Sequence, residues 1–171
     1  AIFKEAGTID HLVSAAIGGE RTIKPFIEQT EEQFKAAYGK LWGYAKVVRV
    51  GVPYVAQNGS VTLVSGSPAR KITPSTSALS CVGGSVENLV RCLAVELAPI
   101  RVNTVSPGTI DTAMFDQFGD ERGERLAAMT SGHLIERGGM SEEVAEGLIF
   151  VMNNRFVTGT TVDVDGGRIL S

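Results

Sequence analysis

Three side chains in this sequence, Lys40, Ser65 and Ser67, have the type and position to give a proton or a hydrogen bond to a reacting oxygen. Ser65 and Ser67 flank Gly66 where the apolar run "SVTLV" ends, so their hydroxyls would stand at the rim of a sheet and could donate to a carbonyl. Successive strand residues point to opposite faces, which puts the two serines on one side and Gly66 on the other unless a turn resets the direction. Lys40 lies in a helical stretch, one turn from Ala36, Gly43 and Tyr44. Partial burial there would pull its pKa toward neutrality, where a general acid works best; the competing reading is a solvated or ion-paired lysine. Lys35 and Lys46 read as surface lysines, and Trp42 and Tyr44 as packing or interface residues. Arg70 and Lys71 could hold an anionic ligand or a partner subunit, but are read first as solvated loop charges.

These residues need elements to position them. "IDHLVSA" (Ile9–Ala15) reads as a buried strand ending in small residues. Thr30 starts a helix, with Gln33 spaced for a capping box. Phe34, Ala37, Leu41, Ala45 and Val48 then recur at helical spacing to about Val55. Asn58-Gly59 signals a turn, "SVTLVSG" (Ser60–Gly66) a second strand, and Ser77 to Ala98 a second helix with Val86, Leu89, Val90, Leu93, Ala94 and Leu97 on one face. "IRVNTVSPG" (Ile100–Gly108) is a third strand and Asp111–Thr130 a looser helical segment. Ser141 caps a helix to about Asn153, and "GTTVDVDGG" (Gly159–Gly167) is a fourth strand and turn. Strands separated by long helices predict a parallel sheet covered on both faces, with a ligand crevice at the strands' carboxyl ends. Those ends are Ser14–Gly18, Ser65–Ser67 and Pro107–Thr112, all rich in small residues that allow close approach to the backbone. Gly83-Gly84 inside a helix costs stability and predicts close approach of a ligand, a neighbouring helix or a second subunit.

The chain has 171 residues, 43% hydrophobic and 20% charged, with net charge −3, which suits one globular domain. Without a basic block, nucleic-acid binding has no electrostatic support. No apolar run is expected to reach the ~18 residues of a membrane span, and no signal peptide is read at "AIFKEAGTID". Cys81 and Cys92 match no metal or redox spacing and are read as buried thiols in a reducing cytoplasm. His11 and His133 are far apart and lack neighbours in sequence that could complete a site, so no metal is expected.

"LAVELAPIRVNTVSPGTIDTAM", "FVTGTTVDVDGG", "GSVTLVSG" and "IDHLVSAAIGG" together resemble the short-chain dehydrogenase/reductase family, in order and spacing, across almost the whole chain. The resemblance implies a Rossmann-like, doubly wound, three-layer α/β fold. It also implies that residues 1–171 form a single partial domain, the carboxyl-terminal two-thirds, lacking the first βαβα portion. No stretch of Ala1–Ser171 reads as the family's GxxxGxG turn, which holds the dinucleotide pyrophosphate.

Counting from Asn103, the family's catalytic Tyr and Lys fall at Leu79 and Gly83, neither able to transfer a proton; Ser75 to Leu89 contains no Tyr or Lys. The family serine falls at Gly66 and the helix asparagine near Lys40. The loop asparagine pair becomes Ser14 and Ala15, followed by Ala16-Ile17. The segment Pro107, Gly108, Thr109, Ile110 corresponds to the family's nicotinamide loop, in which the backbone at Ile110 and the hydroxyl at Thr112 would hold the carboxamide; Thr112 also reads as a helix N-cap. "KLWG" with "TLVSGSPARK" resembles a smaller group of atypical members that also lack the pair, at least one of which binds NADPH. The resemblance thus implies an NADP(H)-dependent, less readily NAD(H)-dependent, oxidoreductase of a small carbonyl-type substrate, assembled as a homodimer or homotetramer in the cytoplasm. Two other readings stay open: a dinucleotide-binding sensor, scaffold or inactive subunit, and a non-redox biosynthetic enzyme.

Overall fold

A computed structural model describes residues 2–16 and 21–171. After a short helix α1 (Ile2–Ala6), β1 (Ile9–Ser14) leads to α2 (Glu31–Ala37) and α3 (Gly39–Gly51), then β2 (Val55–Val64) and α4 (Ser77–Glu96). β3 (Arg101–Pro107), α5 (Arg122–Thr130), α6 (Ser141–Asn153) and β4 (Thr161–Val164) complete the order. The four strands form one parallel sheet in sequence order, β1-β2-β3-β4. Their carboxyl ends therefore share one rim, as the pattern predicts for an α/β fold.

The faces sort by register. Leu12 pairs with Val61 and Val61 with Val102, and their side chains join Leu63, Tyr44, Val48, Val86 and Val90 in the main core beneath α3 and α4. The other face lies under α6, where Gly147 approaches Val164 and Val105 so closely that a Cβ would meet them at 2.8 and 3.6 Å. β3 is stitched to the loop before β4 by its own polar residues. Arg101 donates to the carbonyls of Val151, Met152 and Asn154 at 2.6–2.9 Å, satisfying orphan groups at the end of α6. Asn103 donates to Val157 O (2.9 Å) and accepts from Thr160 N (3.3 Å).

Several expectations need correction. The helix predicted from Thr30 to Val55 breaks at Tyr38 into α2 and α3. The Thr30–Gln33 capping box is present. Asn58-Gly59 turns no corner: it lies inside β2 at a bulge, where Gly59 presses on Asp10 O and Val55. The segment predicted loosely helical becomes a 3₁₀ stretch (113–121), interrupted at Gly119 with φ 51°, and then α5. The cap of α6 is Met140 rather than Ser141, with the Glu143 carboxylate accepting from Met140 N at 2.7 Å. Cys81 and Cys92 are exposed, not buried. One apolar run does reach spanning length: α4, mean hydropathy 1.3, meets the length and composition of a membrane helix. Here it packs Val86 and Val90 into the main core. His11 has a partner, Ser60 Oγ at 2.8 Å from Nδ1, and His133 lies against Arg168.

Candidate functional site

Two groups of residues meet at the carboxyl rim. The first gathers around the end of β2. Lys40, on the first turn of α3, donates from Nζ to the carbonyl of Ser65 at 3.0 Å and stands 5.6 Å from the centre of the Tyr44 ring. Burial, reinforced by the charge of Arg21, pulls its pKa from 10.5 down to about 8. Tyr44, one turn further along, is almost fully buried. Its hydroxyl lies 3.0 Å from Val64 O and 3.1 Å from Ala16 O, sharing one proton between the ends of β1 and β2. Burial pushes the phenol up to about 12, so it stays protonated at any physiological pH. Tyr44, expected from sequence as a packing or interface residue, is packed in the core and also ties the ends of β1 and β2 together.

Both serines are buried, at 8% and 2% exposure. Ser65 Oγ turns away from Lys40 into α4, toward Gly83 O (3.2 Å) and Glu87 Oε1 (3.3 Å). Ser67 begins a 3₁₀ turn whose Ala69 lies directly on α4: a Cβ at Gly83 would sit 2.8 Å from Ala69 Cβ and 3.2 Å from its Cα. The reason for the first of the paired glycines is therefore this loop, while Gly84 faces open space. The loop is clamped by Arg70, which pairs through both terminal guanidinium nitrogens, Nη1 and Nη2, with the Asp163 carboxylate on β4 and through Nε with the buried Glu87 at 3.3 Å. Arg70 is thus no solvated loop charge, and its pKa is raised chiefly by the Asp163 hydrogen bonds. α4 carries neither Tyr nor Lys along its length.

The second group is the loop after β3. Gly108 is fixed by packing, since a Cβ there would meet Asp165 Cα and O at 2.7 Å. Gly108 N donates to Val164 O at 3.0 Å. Gly139 brackets Ile110, donating to Thr109 O (2.9 Å) and accepting from Asp111 N (2.8 Å). Ile110's own N–H and C=O therefore point the other way, and among the described residues they have no partner. A neighbouring free donor and acceptor complement a carboxamide, so this loop fits a nicotinamide. Thr112 caps the following turn, accepting from Met114 N at 3.4 Å. Behind it, Arg122 pairs with Asp111 at 2.6 Å. Ser14 is buried at the end of β1, Ala15 and Ala16 are exposed beside it, and Ile17 lies outside the described residues.

His133 lies to the side of this loop, buried, with Nε2 3.2 Å from Arg168 Nη1. Burial and then the Arg168 charge lower its pKa, and the guanidinium needs Nε2 as an acceptor, so the imidazole is neutral with its proton on Nδ1. Among the described residues no cluster of metal-ligating side chains occurs.

The enoyl-(acyl carrier protein) reductase family model matches residues 1–168. The chain belongs to the short-chain dehydrogenase/reductase family. A short-chain dehydrogenase/reductase of Stachybotrys chlorohalonatus, ATR9, is 34% identical over 99% of this chain and 69% of that protein. The chain spans about two thirds of the length of such curated relatives. A crystal structure of a small-chain dehydrogenase in complex with NADPH superposes with a TM-score of 0.92 at 32% identity, over 99% of this chain and 78% of that one. The MalC reductase/Diels–Alderase of Malbranchea aurantiaca superposes at 0.88 and 30%, over 99% of this chain and 68% of that one. The β2 rim is where the resemblance sets Leu79 and Gly83 in the places of the catalytic pair.

Proposed function

We propose that this chain is the greater part of an NADP(H)-dependent oxidoreductase that reduces a small carbonyl compound, with Lys40 as the proton donor in place of a tyrosine. The observation that carries the reading is the half-buried Lys40, held at the end of β2 by Ser65 O and discharged easily near neutral pH. The bound cofactor would supply hydride. The chain's own part is to orient the nicotinamide at Ile110 and Thr112, beside Pro107, Gly108 and the Ser14–Ala16 end of β1, and to deliver a proton to the substrate oxygen as negative charge develops on it. NADPH is favoured over NADH by the NADPH complex of a 32%-identical relative.

Replacing Lys40 with Met keeps most of the stem and removes the charge. In the full-length protein turnover should fall by ~10²-fold or more, the usual range for losing a general acid. NADPH affinity, measured by fluorescence, should change much less. Ser67→Ala belongs in the same series as the alternative donor, and Ser65→Ala beside it, although the Ser65 hydroxyl turns into α4 and would have to leave Gly83 O to donate. Unchanged turnover in Lys40→Met would remove the lysine from the mechanism.

A second reading is non-redox chemistry in the same crevice. It is supported by α4 without Tyr or Lys and by the likeness to a protein described as both reductase and Diels–Alderase. NADPH binding with no carbonyl reduced by the wild type would favour it, or a binding protein without turnover. Assembly as a homodimer or homotetramer through α3 and α4 is supported by Trp42 and Val95, 71% and 80% exposed on them; sedimentation velocity showing only monomer would count against it.

A further inference from the structure

The connector between α5 and α6, residues 131–140, is fastened at both ends. Gly139 ties its far end to the loop after β3. Its near end is tied to the turn after β4. Ile135 N donates to Gly166 O at 2.9 Å, and the Leu134 side chain lies so close to Gly167 that a Cβ there would meet it at 2.7 Å. The third near-end contact is His133, 6% exposed, whose Nε2 stands 3.2 Å from Arg168 Nη1. This contact holds in one protonation state only. A guanidinium has donors and no acceptor, so Nε2 must keep its lone pair. A proton on Nε2 would remove the hydrogen bond and set two cations 3.2 Å apart. Arg168 has little else to hold it: Nη1 reaches Thr109 Oγ1 at 3.4 Å, and its buried Nε has no partner among the described residues. The Asp165 carboxylate in the same turn already accepts from Gly167 N and Ile169 N, each at 2.9 Å. Arg168 and Asp165 are the charges that bear on the imidazole, Arg168 the more strongly. On its own segment Glu136 and Arg137 are exposed, and Arg137 pairs with Glu143. On α5 Arg125 pairs with Glu121, and in the loop after β3 Asp111 pairs with Arg122.

We propose that His133 is an acid-sensitive latch: neutral, it fastens the connector to the turn after β4, and protonated on Nε2 it releases residues 133–135 from that turn. The released imidazole, in water, has its ordinary pKa of 6.5, while burial and then Arg168 put the fastened one lower, against a smaller opposing effect of Asp165. Below pH 6.5 the released form therefore binds more protons than the fastened one, and acid favours release. Above it both forms are neutral and the latch stays closed. The same connector brackets Ile110 through Gly139, so the latch would make the support of the loop after β3 depend on pH. It needs no cofactor and stands without the oxidoreductase reading.

The test is hydrogen exchange in the full-length protein, read at the Ile135 amide as a protection factor, which divides out the intrinsic pH dependence of exchange. Protection of Ile135 should fall ~10-fold from about pH 7.5 to about pH 5, the factor expected for losing one hydrogen bond to a charged group. Thr104 N–H, which donates to Thr160 O beside the sheet, should hold its protection. His133→Gln offers Arg168 an amide oxygen that takes up no proton, and Ile135 protection should then stay level across the range. The His133 imidazole proton resonance, assigned by its loss in His133→Gln, should titrate below 6.5 in the wild type and move up toward 6.5 in Arg168→Met, which lacks the repelling charge. A wild-type midpoint at or above 6.5 overturns the proposal. So does Ile135 protection that stays level in the wild type, or that falls equally in His133→Gln.

Discussion

The two sides of the carboxyl rim are built from different materials. The loop after β3 does its work with backbone: Gly108 against Asp165, Gly139 bracketing Ile110, and a capping hydroxyl at Thr112. The rim of β2 does its work with side chains, Lys40, Tyr44, Arg70 and Glu87, beside a helix α4 that carries neither Tyr nor Lys. A backbone site is specified by packing, which any substitution nearby disturbs. A side-chain site can be rebuilt by exchanging a few residues, provided the space they leave is filled. At the β2 rim it is filled by the Ser67–Ala69 turn lying on Gly83.

The largest effect should come from the clamp that holds that turn in place. Arg70→Met leaves the Glu87 carboxylate, 3% exposed, with Ser65 and a distant Arg91 at 3.9 Å. An uncompensated buried charge costs about 3 kcal/mol or more. Adding Glu87→Leu should recover most of that loss, because a buried pair replaced by an apolar residue of similar size is often neutral. Urea denaturation of the two variants measures both. If the β2 rim is separable from the backbone site, NADPH affinity should hardly move in either. A loss of stability under ~0.5 kcal/mol in Arg70→Met would mean the clamp is ornamental to the fold.

A smaller and signed effect separates the paired glycines. Gly84→Ala meets nothing within 4 Å and should stabilise α4 by ~0.5–1 kcal/mol, the helix preference of Ala over Gly. Gly83→Ala gains the same preference but drives its Cβ into Ala69, a rigid contact, and should lose about 1 kcal/mol net. Opposite signs in thermal unfolding would fix the Ser67–Ala69 turn as the reason for Gly83. For the same reason Leu79→Tyr with Gly83→Lys should not restore a family-type active site, since the lysine stem would start inside the turn. Matching signs, or recovered turnover in the double variant, would break the idea that the β2 rim has been rebuilt.

These residues also show what a sequence discloses. The four strands, the apolar stripe of α4 and the Thr30–Gln33 box were legible because each is set by neighbours within a few positions. The loop after β3 was placed by resemblance. What was illegible is non-local. Arg70 looks like a loop charge until β4 brings Asp163 to it. Gly83 needs Ala69, fourteen positions earlier in the chain. The Tyr38 break escapes because the apolar spacing runs through it, and Asn58-Gly59 misleads because a bulge uses the same residues as a turn. Lys40 could be named from sequence, but its partner, a carbonyl at Ser65, could not.

The smallest expected effect is the most direct measure of how far the β2 rim depends on Lys40. Its pKa in the folded chain is about 8, against 10.5 ordinarily, because burial and then Arg21 disfavour the charge. Below pH 8 both folded and unfolded chains hold the proton, and folding carries the full cost of the buried charge. Between pH 8 and 10.5 the unfolded chain binds more protons than the folded one, so stability rises with pH. Above that window both forms are neutral and the gain is complete. Lys40→Met lacks this group and shares every other titration. The stability of the wild type relative to the variant should therefore climb as pH is raised from about 7 to about 10. The difference will be modest, since solvent reaches the half-buried ammonium and screens it. A flat difference would make Lys40 an ordinary surface lysine. The β2 rim would then hold no group with a proton to spare near neutrality, and the backbone site would be left as a binding site without a partner in chemistry.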